Sequence, residues 1–143
     1  MGWVRNILEE KGHAVVSVPP SVTAFNALEV MRDMNVGGLL IVDQDTLVGI
    51  FTERDYARKV ILKGKHSREI PVSELMTPNP ITVTQDTSIE ECMTLMTNKH
   101  IRHLPVMEGD SIVGVISIGD VVRFVIEEQR YIIEHLEQYI TGR

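Results

Sequence analysis

Aromatic residues, cysteine and positive charge are all scarce in this sequence, and each scarcity removes a class of protein. Aromatics make up 5% of the 143 residues, so a core must be assembled mainly from Val, Ile, Leu and Met. The hydrophobic share of 43% is ordinary for a folded soluble chain. A single cysteine, Cys92, excludes a disulfide framework within the chain and suits a reducing compartment. Lys and Arg number 14 against 20 Asp and Glu, a net charge of −6. That excludes the broad basic face of a general nucleic-acid binder but leaves room for a local basic pocket. No apolar run reaches the length of a membrane span. The opening residues lack the apolar core of a secretory signal, and Asn6 stands where a myristoylation signal carries Ser or Thr. The expectation is a cytoplasmic protein with neither nucleic acid nor membrane as partner.

The chain repeats itself. Shifted by 65 residues, the segment from Val16 to Ile61 aligns without a gap on Ile81 to Ile126. Ten of the 46 pairs are identical, among them Met31/Met96, Leu39/Leu104, Gly49/Gly114, Asp55/Asp120 and Arg58/Arg123. Apolar positions coincide elsewhere, as in Val36/Ile101, Ile41/Val106 and Leu47/Ile112. A fainter echo precedes each copy: V-R-N-I-L from Val4 and V-S-E-L-M from Val72. Two copies are too few for a solenoid and point to a pseudo-twofold pair of small modules.

Each copy reads as β-α-β-β-α. A short strand (Val15 to Val18, Ile81 to Val83) precedes a helix carrying Ala27, Leu28, Met31 and Met34, or Ile89, Met93 and Met96, with Ser21 and Asp86 as N-caps. Two strands follow around a D-Q-D or E-G-D turn, Gly38 to Val42 with Leu47 to Phe51 and Leu104 to Met107 with Ile112 to Ile116; the last helix begins near Asp55 or Asp120. About 45 residues cannot bury an adequate core alone, so the copies should pack sheet against sheet. The fold class is α+β, divided into an N-terminal helix and lead-in (1–13), module one (14–62), a linker (63–75), module two (76–126) and a C-terminal helical extension (127–143). In the last helix Val122, Val125, Ile126, Ile133, Leu136 and Ile140 recur at near-helical spacing and predict a buried face, against its own module or a second chain.

G-I-F-T-E-R-D (Gly49 to Asp55) and G-V-I-S-I-G-D (Gly114 to Asp120) carry the candidate chemistry. A strand passes a hydroxyl residue and enters a helix at an aspartate. There a carboxylate is favoured, can accept two hydrogen bonds from a vicinal diol such as a ribose, and lies beside free N–H groups that favour an anion. Thr52 and Ser117 can donate to a phosphate oxygen, and Arg54 adds charge in copy one. Thr/Ser-x-x-Asp is equally an ordinary helix start; its recurrence at equivalent positions favours the binding reading. K-H-I-R-H-L-P-V (Lys99 to Val106) places basic side chains between helix and strand, where copy one has Gly37 and Gly38 instead of Arg102 and His103; helix C-terminal charge is the plain reading and a phosphate the sharper one. His100-x-x-His103 is at most half a metal site, and no metal is expected. No nucleophile–base pair emerges, so an enzyme is not expected.

These residues resemble a pair of CBS domains, a Bateman module, from about Ala14 to Ile126. The markers are the doubled Gly-apolar-apolar-Thr/Ser-x-x-Asp motif, the R-H-L-P-V strand and M-T-P-N-P-I-T-V from Met76. T-E-R-D-Y-A-R-K and S-I-G-D-V-V-R are further similar to stand-alone single-pair CBS proteins. The resemblance implies two modules packed by their sheets, with clefts that take AMP, ADP or ATP, and sometimes NAD or S-adenosylmethionine. It implies a homodimer and a regulatory role, with a separately encoded enzyme as a partner, or else a ligand-free dimerisation or interaction scaffold. Carried over, Asp55 and Asp120 hold ribose hydroxyls, Thr52 and Ser117 touch ribose or phosphate, and Arg54, Arg102 and His103 approach phosphates. Adenine is expected near the lead-ins, at His13, Val16, Thr77, Pro80 and Ile81. Gly119 in place of Arg54, and Gly37-Gly38 in place of Arg102-His103, make the two sites unequal.

Overall fold

The structure is a computed structural model and describes residues 2–141. Its elements run α1 (Val4–Lys11), β1 (Ser17–Val18), α2 (Ala24–Met34), β2 (Gly38–Asp43), β3 (Thr46–Thr52), α3 (Glu53–Tyr56), β4 (Thr77–Pro78), α4 (Ile89–Lys99), β5 (His103–Glu108), β6 (Ser111–Ser117) and α5 (Ile118–Thr141). A π-helical turn, Ala57–Ile61, extends α3. Both copies have an antiparallel hairpin with the same register and a bulge at the same place, between Ile41 and Val42 and between Val106 and Met107. Gln44 and Asp45 turn the first hairpin with φ of 48° and 65°, as a two-residue turn between right-twisted strands requires.

Two hydrophobic cores result, and neither is built from one copy alone. Leu39, Ile41 and Phe51 of the first sheet pack with Ala24, Ala27 and Met31 of α2, and Val72 and Leu75 join them. Leu104, Val106 and Ile116 pack with Ile89, Cys92 and Met96 of α4, and Val4, Ile7 and Leu8 of α1 join those. The lead-in to each copy therefore completes the core of the other. The docking is equivalent bond for bond: Val72 N–H donates to the Val22 carbonyl at 2.7 Å and Val4 N–H to the Thr87 carbonyl at 2.9 Å. Ala24 N–H donates to Ile70 and Ile89 N–H to Gly2, at 2.9 and 3.0 Å. The weak echo between V-R-N-I-L and V-S-E-L-M is the imprint of this exchange.

The same exchange explains two motif glycines. A Cβ at Gly49 would run into the Met76 side chain, and one at Gly114 would lie 2.7 Å from Leu8 Cδ2. These glycines make room for the crossing lead-ins. On the opposite faces of the sheets Leu40, Ile50 and Pro105 are buried outside both clusters, where the two modules pack against each other. At that junction a Cβ on Gly38 would be 3.3 Å from the ring of His103, its own repeat equivalent. One side of the pseudo-twofold carries an imidazole and the other the space for it, so the asymmetry of Gly37-Gly38 against Arg102-His103 has a packing cause.

Several local expectations shift. The helix caps are Thr23 and Ser88, two residues beyond Ser21 and Asp86, and accept from Asn26 and Glu91 N–H at 3.2 and 3.1 Å. The cause is the docked lead-in: Val22 and Thr87 stay extended to receive it. Of the expected strand Ile81 to Val83 only Val83 pairs, with Val106. Thr77–Pro78 instead joins the sheet of copy one beside β3. The final helices start at Glu53 and Ile118, two residues before the aspartates. Of the expected buried face of α5 only Val125 is half-buried; the rest is exposed, with Val122 at 49%, Ile126 at 44%, Ile133 at 54%, Leu136 at 55% and Ile140 at 80%.

Candidate functional site

Since the last helices begin early, each aspartate occupies the third helical position and the hydroxyl residue is the cap. Thr52 Oγ1 accepts from Asp55 N–H at 3.2 Å, and Asp55 Oδ2 accepts from Thr52 N–H at 3.0 Å. In copy two Asp120 Oδ2 accepts from Ser117 N–H at 2.8 Å, and Ser117 Oγ accepts from Asp120 N–H at 3.2 Å. These reciprocal pairs are capping boxes. Half of each carboxylate is thus committed to its own helix, and the helix-start reading is correct as far as it goes.

The other half is held differently in the two copies. Asp55 Oδ1 accepts from Thr77 Oγ1 at 3.2 Å and pairs with Lys59 Nζ at 3.3 Å, while Lys59 also donates to the Leu75 carbonyl at 3.0 Å. Asp120 Oδ2 accepts from Lys11 Nζ at 2.7 Å, and Lys11 donates as well to the Val115 carbonyl at 2.9 Å. The Asp120 Oδ1 atom meets the Arg123 guanidinium at 3.7 Å, an ion-pair distance rather than a hydrogen bond. Asp120 therefore keeps acceptor capacity on Oδ1, whereas both oxygens of Asp55 are engaged. Its side chain lines a hollow of about 220 Å³ with Ile7, Glu10, Lys11, Arg123 and Phe124. Burial works to raise the Asp120 carboxyl, but the hydrogen bonds from Lys11 and Ser117 and the nearby ammonium outweigh it, and it ionises below the ordinary aspartate value.

The lead-in residues divide between the copies in the crossed sense. Thr77 reaches Asp55, whereas Lys11 reaches Asp120 and His13 Nδ1 contacts the Val113 carbonyl at 2.7 Å. Val16 packs into the first core and its carbonyl accepts from Leu40 N–H, so its side chain and carbonyl are already committed. Pro80 is half-buried and Ile81 packs against the second core. Arg54 and Arg102 meet in a separate hollow of about 320 Å³ between the copies, with Met96, Thr97, His100, Ile101 and Ile118. Neither aspartate lines it. His103 faces away from this hollow and covers Gly37 and Gly38. Among the described residues no group of three or more His, Cys, Asp or Glu is placed to hold a metal ion.

The sequence reading missed Lys11 and Lys59. Lys59 was legible, four residues after Asp55 in a helix and so on the same face. Lys11 lies 109 residues from Asp120 and carries no local signal.

His103 gives a pH prediction. Burial holds its imidazole below the ordinary value of 6.5; Lys11 and Arg102 act in the same sense, and Glu53 and Asp120 oppose them. A depressed pKa means that the unfolded chain binds the proton first. The stability it confers should be complete above about pH 6.5 and should be lost as pH falls below that toward the folded-state pKa. Urea unfolding of the wild type and His103→Gln between pH 8 and 5 checks this: the gap in stability between them should shrink on acidification.

A CBS-domain family model matches residues 5–62 and 72–127. A mitochondrial CBS domain-containing protein of Arabidopsis thaliana is 43% identical over 125 residues, covering 84% of this chain. The chain spans 61% of that protein's length. The solved structure of a protein with CBS domains from Burkholderia ambifaria is 42% identical, has a TM-score of 0.86, and covers 89% of this chain and 96% of its own. The CBS domain pair of protein MJ0100, solved in complex with 5′-methylthioadenosine and S-adenosyl-L-methionine, is 25% identical with a TM-score of 0.77, over 88% of this chain and 97% of its own.

Proposed function

The chain belongs to the CBS-domain family, and we propose that it is a non-catalytic regulatory sensor whose ligand is an adenine nucleotide such as AMP, ADP, ATP or NAD. The observation that carries this reading is Asp120: a half-buried, ionised carboxylate at a helix start, with one oxygen still available in the wall of a hollow. A ribose diol supplies the two hydroxyl donors that such a group accepts. Lys11 donates to it from the wall of the same hollow, and in this reading His13, bonded to the Val113 carbonyl, and His103, packed over Gly38, meet the base or phosphate. Asp55, Thr52 and Thr77 form the second site, which should bind more weakly because Asp55 is already saturated. In this reading Pro80 and Ile81 flank the adenine, Val16 contributes at most its backbone N–H because its side chain and carbonyl are committed, and Arg54 with Arg102 offers two guanidinium groups to phosphates.

The 220 Å³ hollow is smaller than ordinary ligand sites of about 300–1,000 Å³. It suits the sugar, with base and phosphates along its rim. The reading includes association of two chains, a separately encoded enzyme as the regulated partner, and a cytoplasmic location; imaging of the tagged chain checks the last, since one relative is named as mitochondrial. Among the described residues no helix is long and apolar enough to cross a membrane.

A ligand-free scaffold is the second reading, favoured by the completeness of the capping boxes. A thermal-shift panel of AMP, ADP, ATP, NAD and S-adenosylmethionine separates them. A ligand at 100 times its Kd should add about 2.7 kcal/mol, or roughly 5–10 °C in Tm. No shift with any of them favours the scaffold.

A further inference from the structure

The outer part of α5 is a helix without a neighbour. Residues 129–141 are exposed on every side, and an isolated helix of this length is marginal in water. Yet its apolar residues are ordered. Val122, Ile126, Ile133, Leu136 and Ile140, with the polar Gln129 at the one seam position between Ile126 and Ile133, fall at alternating spacings of four and three, the 3.5-residue repeat of a coiled-coil seam. The two flanks of that seam differ. One carries Arg123, Arg130 and Glu137; the other carries Val125, Ile132 and Tyr139.

These flanks select the partner and its direction. In a parallel pair the charged flank of one helix would meet the apolar flank of the other. In an antiparallel pair each flank meets itself. Setting Ile133 against Leu136 of a second copy then brings Arg130 opposite Glu137 and Ile132 opposite Tyr139, each twice by symmetry. We infer that this chain pairs with a second copy of itself through antiparallel contact of the protruding α5 helices. This specifies the association included in the proposed function and does not depend on nucleotide binding. The pairing uses the part of the helix beyond both modules, so the two bodies lie at opposite ends of it. A membrane surface is a poor alternative: residues 127–141 hold four glutamates and one arginine, which anionic lipid repels.

Sedimentation of the full chain should show a dimer, and Ile133→Glu, at an exposed position, should weaken it about a hundredfold, with any loss of helical circular dichroism limited to the outer turns of α5 and thermal unfolding of the two modules unchanged. Reversal at Arg130→Glu should weaken it, and the double reversal with Glu137→Arg should restore it. Cys92 is buried, so engineered cysteines report cleanly. Under mild oxidation Ile133→Cys/Leu136→Cys chains should cross-link, whereas Ile140→Cys alone should not, because its copy lies about 16 Å along the axis. A monomeric wild type overturns both the inference and the association it rests on. A dimer that survives Ile133→Glu leaves the association standing but overturns this interface, and cross-linking through Ile140→Cys alone overturns the antiparallel direction.

Discussion

Replacing Leu8 by alanine should destabilise the fold by about 2–5 kcal/mol, as much as losing a leucine from the middle of a core. Leu8 stands at the start of the chain, in an eight-residue helix that would not persist by itself. Its side chain is nevertheless 1% exposed, within the core built around β5, β6 and α4. It fills the space that Gly114 leaves open, and α1 is tied down through Val4 N–H to Thr87 and Arg5 N–H to Gln85. Urea unfolding should show a lower midpoint with an unchanged slope. A change below about 0.5 kcal/mol, as at an exposed site, would mean that α1 does not complete the second core.

Asp120→Asn should weaken adenine-nucleotide binding about 10–100-fold while keeping the fold and losing only the modest stability of the pairing with Lys11. The amide oxygen of asparagine can still accept from Ser117 N–H, so the cap survives. What disappears is the charge and the second acceptor oxygen, and hydrogen bonds to a charged group contribute about 1.5–3 kcal/mol each. Asp55→Asn should have a smaller effect, because Thr52, Thr77 and Lys59 already occupy both oxygens there. Calorimetric titration of both variants, with their unfolding curves, reads the two quantities separately. If Asp120→Asn unfolds the chain but those molecules that remain folded bind as before, the aspartate is a cap and nothing more.

Much of this was legible in the sequence because it is written locally and twice. The 65-residue shift exposed the β-α-β-β-α unit, and the hairpins fall within a residue or two of their expected limits. What the sequence hid is what the pseudo-twofold does. Nothing local shows that Leu8 belongs with Gly114, Met76 with Gly49, or Lys11 with Asp120, because those partners lie far apart along the chain. The caps were misplaced for the same reason: Ser21 and Asp86 are good capping residues, but the docked lead-ins keep the backbone extended beyond them. The apolar periodicity of α5 was real, but periodicity cannot say whether a face is buried within the chain or waits for a second one.

The claim at the centre of this account is that the Asp120 carboxylate grips a sugar diol, and an analogue lacking the diol tests it most directly. Calorimetry should find that AMP binds and that 2′,3′-dideoxy-AMP binds at least about tenfold more weakly, with the difference abolished in Asp120→Asn. Equal affinity for the two compounds, or no binding of either together with no thermal shift across the nucleotide panel, would contradict it.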